Sequence, residues 1–287
     1  MNKIKRGLRS TPVDERDFSF STVFGATPLA KLPDEFYVSP ATEIKDQKSS
    51  DMCTAFALAS ISESQEGVAL APEYIFAKTK QIEGNYESWG ANLRDACKAL
   101  KDFGSLEVKD CPFNLNSYER DVIANWVNWS PLLDDKAKVH AKESYFKVDG
   151  PYDNFDNIRN ALYENRSELR SVFVGTLWYD NWFNSSVIPN RRVGNKFGHA
   201  LKIFGWKQVE GKPYLVAQNS WGDNYGDKGL YYFPREVVNR DFIYGAYTFR
   251  DLPKDIAKFL NENNIGVDDV ILVKLRYWFK KFLRLWK

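Results

Sequence analysis

The stretch DQKSSDMCTAFALAS, residues 46–60, places one cysteine between a polar loop and an apolar run. From residue 54 to about residue 64 almost no polar face remains, which predicts a central helix that is buried on all sides. The loop is rich in residue types that cap helix N-termini, namely Ser49, Ser50 and Asp51. Cys53 is therefore predicted at the first turn, where unpaired N–H groups and the helix dipole favour thiolate over thiol.

The pattern of apolar residues changes halfway along the chain. Before that point, residues 71–84 and 91–104 predict two further helices, because both have helical spacing and end at a glycine. After it, short β-branched and aromatic runs predict strands in SVFVGTLWY, HALKIFGWKQ, KPYLVAQNS, GLYYF and YGAYTF. Helices in one half and strands in the other predict an α+β fold with two segregated lobes and a cleft between them.

Composition restricts the class of function. The 287 residues include 40 basic and 38 acidic ones, and no basic stripe crosses the body of the chain, so nucleic acid is not expected as a partner. The N-terminus is basic but lacks the apolar core of a Sec signal peptide, which predicts a cytoplasmic protein or part of a bacterial or phage assembly. Three cysteines and two histidines show no metal-ligand spacing, so neither a metal nor a cofactor is expected.

A cysteine nucleophile requires a base, and the chain contains only His140 and His199. His140 lies in a charged stretch typical of a solvated surface, whereas His199 directly precedes a predicted strand. A histidine base needs a third group to hold its ring, and Asn219, at the end of an apolar strand, offers an amide. Gln47 precedes Cys53 by six residues, which is close enough to place its amide beside the sulfur as an oxyanion donor.

This constellation resembles the papain-like cysteine peptidases, in their bacterial branch. The resemblance rests on Gln47 and the six-residue step to Cys53, followed in order by CTAFALAS, GHAL and QNSWGDNYGDKGLYYF. It covers roughly Leu32 to Phe249 and implies a papain-like two-lobe fold over residues 32–250. The helical lobe is expected mainly in residues 50–135 and the antiparallel, β-barrel-like lobe mainly in residues 140–250, with the active-site cleft between them. Residues 1–31 are then an N-terminal extension.

The resemblance also implies a catalytic role for each of four residues. Cys53 is the nucleophile, and His199 acts first as base and then as acid. Asn219 orients the His199 ring. Gln47 and the backbone N–H of Cys53 form the oxyanion hole.

Two further residues are assigned to the substrate-binding part of the cleft. Gly90, in SWGANLRD, falls where the family has a glycine that lets the substrate backbone pair, and Trp221 shields the His–Asn contact from water. The chain departs from the family beside the nucleophile, where Asp51 and Met52 stand, and the carboxylate opposes thiolate formation. Ser50 replaces a cysteine that commonly forms a disulfide, which agrees with a reducing compartment.

The predicted function is hydrolysis of peptide bonds through a thioester acyl-enzyme, by an endopeptidase that acts on a peptide or protein substrate. Two alternatives stay open. One is a catalytically weak papain-like module that serves for binding or structure in a phage or bacterial assembly. The other is a cysteine amidase or transglutaminase-like acyl hydrolase, which uses the same Cys–His chemistry on another acyl bond.

The C-terminal residues 251–287 are predicted to form a helical, basic amphipathic tail. In ILVKLRYWFKKFLRLWK, residues 271–287, large apolar side chains recur at helical spacing and cations fill most of the remaining positions. Such a helix is typical of segments that dock on an anionic membrane or on a protein partner.

Overall fold

The computed structural model describes residues 7–11, 17–112, 131–183 and 185–249. The predicted C-terminal tail lies outside these residues. The described helices are α1 (Phe20–Phe24), α2 (Cys53–Glu66), α3 (Pro72–Glu83), α4 (Leu93–Asp102), α5 (Pro131–Lys138), α6 (Asn154–Glu164) and α7 (Arg235–Asp241). The described strands are β1 (Phe36–Tyr37), β2 (Tyr145–Lys147), β3 (Val172–Tyr179), β4 (Lys196–Val209), β5 (Lys212–Gln218), β6 (Leu230–Pro234) and β7 (Gly245–Phe249).

The predicted central helix is α2, which begins at Cys53 and is buried continuously through Glu63. It packs against α3 and α4 on one side and against β4 of the sheet on the other. Because these neighbours surround it, a helix without a polar face is stable in this position. Within the described part of the chain, no helix combines the length and apolar character needed to cross a membrane.

The seven described strands form one antiparallel sheet with the order β2-β7-β3-β4-β5-β6, and β1 also pairs with β4. The α+β prediction is therefore confirmed. In the register of β4 with β5, Lys202 lies opposite Gln218. His199 in β4 and Asn219, directly after β5, consequently lie on neighbouring strands within about two residues of each other in register.

Helix α6 is not predicted by the sequence analysis. Its N-cap is Asp153, whose side chain accepts a hydrogen bond from the N–H of Asp156. Its buried apolar residues recur at helical spacing and comprise Phe155, Ile158, Ala161 and Leu162. The cap and this spacing are both visible in the sequence, so the signal was available.

The N-terminal extension is more ordered than its charged, irregular sequence suggests. The side chain of Ser19 caps α1, and Phe20 is almost fully buried. The rings of Phe18, Phe20 and Phe24 pack against Phe146 of β2, with centroids 5.0–6.5 Å apart. The described part of the extension from residue 17 onward therefore packs as an integral part of the fold.

Candidate active site

Cys53 lies at the N-terminus of α2 with its side chain fully buried. The pKa of its thiol is raised to about 12, chiefly by burial, and the charge of Asp51 contributes to the rise. Hydrogen bonding to the backbone of Ala200 and of Thr54 lowers the pKa without compensating for burial. In this arrangement the helix N-terminus alone does not produce a thiolate, because the cost of desolvating the anion is larger.

His199 and Asn219 form a hydrogen-bonded pair at the centre of the sheet. His199 Nε2 lies 2.7 Å from Asn219 Oδ1, and the same oxygen accepts a 2.7 Å hydrogen bond from the N–H of Ser220. Because Asn219 Oδ1 is a hydrogen-bond acceptor, His199 Nε2 carries the ring proton and donates the hydrogen bond. Nδ1 is then the unprotonated, basic nitrogen of the neutral ring. Burial lowers the pKa of His199 to about 4, although the hydrogen bond with Asn219 partly offsets this effect.

Trp221 covers the histidine–asparagine pair. Its ring stacks on His199 with centroids 4.4 Å apart and an interplanar angle of 29°. Trp178 meets both rings edge-on, at 5.6 Å from His199 and 4.7 Å from Trp221. His199 and Asn219 are both almost fully buried, and burial strengthens the hydrogen bond between them.

Gln47 connects the nucleophile loop to the loop that carries Asn219. Its Nε2 donates to the backbone oxygen of Ser50 at 2.9 Å, and its Oε1 accepts from Ser220 Oγ at 2.7 Å. Backbone pairing of Asp46 with Trp221 joins the same two loops. One of the two N–H groups on Gln47 Nε2 is used in this way, and the oxyanion role of this side chain remains a prediction.

The described residues 7–11 lie in the cleft across Cys53. A Cβ added to Gly7 would lie 2.8 Å from Cys53 Sγ and 2.4 Å from the backbone oxygen of Asp51. The segment pairs with the cleft edge in parallel, since Ala91 N donates to the oxygen of Gly7 and Arg9 N donates to the oxygen of Ala91, both at 2.9 Å. The sequence of residues 7–11 does not predict this placement, because its contacts are with residues distant in the chain.

Gly90 is the residue that allows this close approach. A Cβ at Gly90 would lie only 1.9 Å from the backbone oxygen of Gly7, and the φ of Gly90 is +65°. The hydrogen bonds to the segment, however, come from the neighbouring residue Ala91, while the N–H of Gly90 donates to Asp51 Oδ2 at 2.6 Å. The substrate-binding roles of Gly90 and Trp221 remain predictions.

The structure thus brings Cys53, His199, Asn219 and Gln47 into one region, between α2 and the sheet. Among the hydrogen bonds of the described residues, none joins Cys53 Sγ to the His199 ring. Burial raises the pKa of the thiol and lowers that of the imidazole, so both shifts favour the neutral forms. The arrangement is that of a closed site in which burial opposes ionisation of both reactive groups.

His140 is separate from this region. Its Nδ1 contacts Glu66 Oε2 at the last residue of α2, and Lys142 contacts the other oxygen of the same carboxylate. Cys53 is the first and Glu66 the last of the 14 residues of α2, which is roughly 20 Å long. His140 therefore lies at the opposite end of this helix from Cys53. Across the described ranges, no group of three or more His, Cys, Asp or Glu residues is arranged to hold a metal ion.

Asp51 offers a direct test of the electrostatics around the thiol. In the Asp51→Asn chain the side-chain oxygen can still accept from the N–H of Gly90, but the negative charge beside Cys53 is lost. Because a like charge opposes thiolate formation, the pKa of Cys53 should fall. The pH profile of Cys53 alkylation, measured in a chain that also carries Gly7→Val to displace the segment, should shift to lower pH and give severalfold faster labelling at a fixed pH. Asp46→Asn removes a carboxylate from the same loop and should leave the profile in place; an equal shift in both would contradict this account.

Comparisons with known proteins identify the family and the fold. Residues 34–243 match the family described as papain family cysteine protease. The chain is similar to cathepsin B-like cysteine proteinase 3 of Ostertagia ostertagi, with 48% identity over 70 residues, which is 24% of this chain and 40% of that protein. It is also similar to a KDEL-tailed cysteine endopeptidase of Arabidopsis thaliana, with 26% identity over 73% of this chain and 56% of that one.

Solved structures show the same fold. Xylellain, a cysteine protease from Xylella fastidiosa, superposes with a TM-score of 0.70 at 22% identity and covers 88% of this chain and 98% of its own. Bromelain from Ananas comosus superposes with a TM-score of 0.54 at 17% identity, over 76% of this chain and 99% of its own. The chain spans about half or less of the length of the curated relatives named above.

Proposed function

The chain belongs to the papain family of cysteine proteases, and on that premise we propose that it is an endopeptidase that hydrolyses peptide bonds through a thioester acyl-enzyme. The observation that carries the proposal is the hydrogen bond from His199 to Asn219, placed beside a cysteine at the N-terminus of α2. This bond fixes which imidazole nitrogen is basic. No metal or cofactor is required for the chemistry that these groups perform.

Acylation begins when His199 Nδ1 takes the proton of the Cys53 thiol and the sulfur attacks the scissile carbonyl carbon. A C–S bond forms, and the carbonyl oxygen becomes an oxyanion that the N–H of Cys53 and the amide of Gln47 stabilise. Collapse of this intermediate breaks the C–N bond. The leaving nitrogen receives the proton from the imidazolium, and the acyl group remains on Cys53 as a thioester.

Deacylation repeats the sequence with water. His199 Nδ1 takes a proton from a water molecule, and the hydroxide attacks the thioester carbon. The C–S bond breaks, the sulfur regains the proton, and the peptide leaves as a carboxylic acid. Asn219 and Trp221 serve both steps, because they hold the imidazole in one orientation while its charge changes.

We propose further that the described residues 7–11 hold the site closed. Gly7 covers Cys53 Sγ, and the backbone of the segment occupies both pairing groups of Ala91, which a substrate backbone would need. Displacing the segment would admit water to the thiol and the imidazole. Hydration removes the main cause of both pKa shifts, so proton transfer from Cys53 to His199 becomes favourable.

Peptide hydrolysis by the full-length Gly7→Val chain tests the proposed function. The valine has no space beside Asp51 and Cys53, so the segment must leave the cleft. We expect this chain to cleave internal bonds of unstructured peptides, as read by mass spectrometry of the products, and the Gly7→Val/Cys53→Ala chain to cleave none. Failure of the Gly7→Val chain to cut any peptide in a broad mixture, with Cys53 exposed to alkylation, would contradict endopeptidase activity.

A further inference from the structure

Leu8 occupies an apolar pocket in the cleft beside Cys53. Its side chain is buried, and a Cβ added to Gly175 would lie 2.7 Å from Leu8 Cδ2. A Cβ added to Gly198 would lie 2.6 Å from the backbone oxygen of Leu8. Leu93 also contributes to the wall, because its Cδ1 approaches the same point above Gly175. The two glycines leave room for a side chain of about the size of leucine.

The next residue, Arg9, forms an ion pair with Glu83 at the C-terminal end of α3. The Glu83 side chain is only 4% exposed, whereas Arg9 is 37% exposed. The carboxylate also accepts hydrogen bonds from the backbone N–H and the side-chain amide of Asn92, at 3.0 and 3.2 Å. Glu83 is therefore held in one position at the cleft edge, where it presents a fixed negative charge to whatever residue follows the one in the apolar pocket.

Arg9 and Lys80 both pair with Glu83. Lys80 is fully buried and donates to Glu83 Oε2 at 3.0 Å, to Ser88 Oγ at 2.8 Å and to the oxygen of Gly90 at 2.7 Å. Arg9 of the segment adds a second cation beside the nearly buried carboxylate, and this ion pair is lost when the segment leaves. Removing one partner of a buried ion pair is unfavourable.

We infer that Glu83 makes the open cleft select peptides with a basic residue next to the residue in the apolar pocket, on the side away from Cys53. The inference rests on the proposed function and names its substrate class: a small residue over Cys53, a leucine-sized residue in the pocket and then arginine or lysine. Such a peptide replaces the ion pair with Glu83 that is lost when Arg9 leaves. The formal net charge of the chain is +2, so general attraction does not favour cationic peptides.

The inference does not depend on the direction of the bound chain. In the parallel bridge seen here, Ala91 bonds to the two residues that flank Leu8. A chain running in the opposite direction would instead exchange both bonds between Ala91 and the residue in the pocket. Either direction satisfies Ala91 and leaves the neighbouring side chain near Glu83.

The test compares the substrates X-Leu-Gly-aminomethylcoumarin, with X as Arg, Lys, Gln or Glu, on the full-length Gly7→Val chain. We expect kcat/KM to be roughly tenfold higher for Arg and Lys than for Gln, and lowest for Glu, since a charge-assisted contact is added or a like charge opposed. In the Gly7→Val/Glu83→Gln chain, the ratio of kcat/KM for the arginine substrate to kcat/KM for the glutamine substrate should fall towards one. The glutamine keeps one oxygen, which can still accept from Asn92, whereas its amide nitrogen replaces the oxygen that accepts from Lys80. A general structural effect of this change would lower all rates and leave the ratio unchanged. Glu87→Gln, a change at an exposed carboxylate in the adjacent loop, should also leave the ratio unchanged.

A measurement without turnover separates this inference from the proposed function. The peptides acetyl-Arg-Leu-Gly-amide and acetyl-Glu-Leu-Gly-amide should protect Cys53 of the Gly7→Val chain from iodoacetamide to different extents, with the arginine peptide effective at roughly tenfold lower concentration. If no coumarin peptide is cleaved but this difference holds, the peptidase proposal fails and the selectivity stands. Equal rates together with equal protection would overturn the selectivity. Leu8→Asp opens the cleft by a second route if the Gly7→Val chain does not fold.

Discussion

The full-length Gly7→Val chain should react with iodoacetamide at Cys53 at least about a hundred times faster than the unaltered chain at pH 7. With the segment in place, burial raises the pKa of the thiol to about 12, so the thiolate is a very small fraction of the protein at pH 7. Displacement of the segment returns water to the sulfur, and even an ordinary cysteine pKa near 8.5 would raise the thiolate fraction by roughly three orders of magnitude. Thiolate, not thiol, is the species that reacts.

Two internal references make the comparison specific. Cys111 is half-buried and unrelated to the cleft, so its labelling rate, read by peptide mapping in the same sample, should be equal in both chains. Ser10→Val adds the same side chain to an exposed position of the same segment and should leave Cys53 protected. If Cys53 of the Gly7→Val chain reacted no faster than Cys53 of the Ser10→Val chain, the segment would not be what closes the site.

Local patterns in the sequence were sufficient to predict the elements that carry the reactive groups. The apolar run after Cys53 requires a buried helix, and the β-branched runs around His199 and before Asn219 require strands. The motif order then predicts one cleft for the three residues, and in the structure the register of β4 with β5 brings His199 near Asn219. The predictions of these helices and strands succeeded because each depends on residues that are close together in the chain.

The state of the site could not be predicted in the same way. The position of Cys53 at a helix N-terminus favours a thiolate, but its complete burial has the opposite and larger effect on its pKa. Gly7 lies against Cys53 Sγ, and its segment contacts Ala91, Gly175 and Gly198, which are separated from it by tens to hundreds of positions. Residues 7–9 (GLR) show no helical or strand periodicity, so their position can be seen only in the folded structure.

Charge pairing at the cleft edge is likewise visible only in three dimensions. From the sequence alone, Asp51 is expected only to oppose ionisation of the neighbouring Cys53 thiol. In the structure its carboxylate accepts the N–H of Gly90 at 2.6 Å, while Lys80 donates to the oxygen of the same residue at 2.7 Å. Asp51 therefore helps to hold the backbone of Gly90 in place at the cleft edge. The same negative charge also raises the pKa of Cys53.

Replacement of His199 by alanine in the opened Gly7→Val chain should lower kcat/KM for peptide hydrolysis by about 10³-fold or more, because the base for both chemical steps is lost. The same change should remove the labelling of Cys53 at mildly acidic pH. In the opened chain the imidazolium stabilises the thiolate, so alkylation should proceed between about pH 5 and pH 7, and without it the profile should move up to that of an ordinary thiol. An effect on folding alone would lower the rate without moving the profile.

Asn219→Ala provides the matched comparison, since it removes the group that orients His199 but leaves the base in place. Its hydrolysis rate should fall less than that of His199→Ala, and its acidic labelling should persist in part, because a ring without a fixed partner still reaches the sulfur some of the time. His140→Ala, at the other end of α2, should change neither quantity. An acidic labelling profile that survives His199→Ala unchanged would mean that the thiolate is stabilised by the helix N-terminus alone, and the assignment of His199 as the base would then have to be withdrawn.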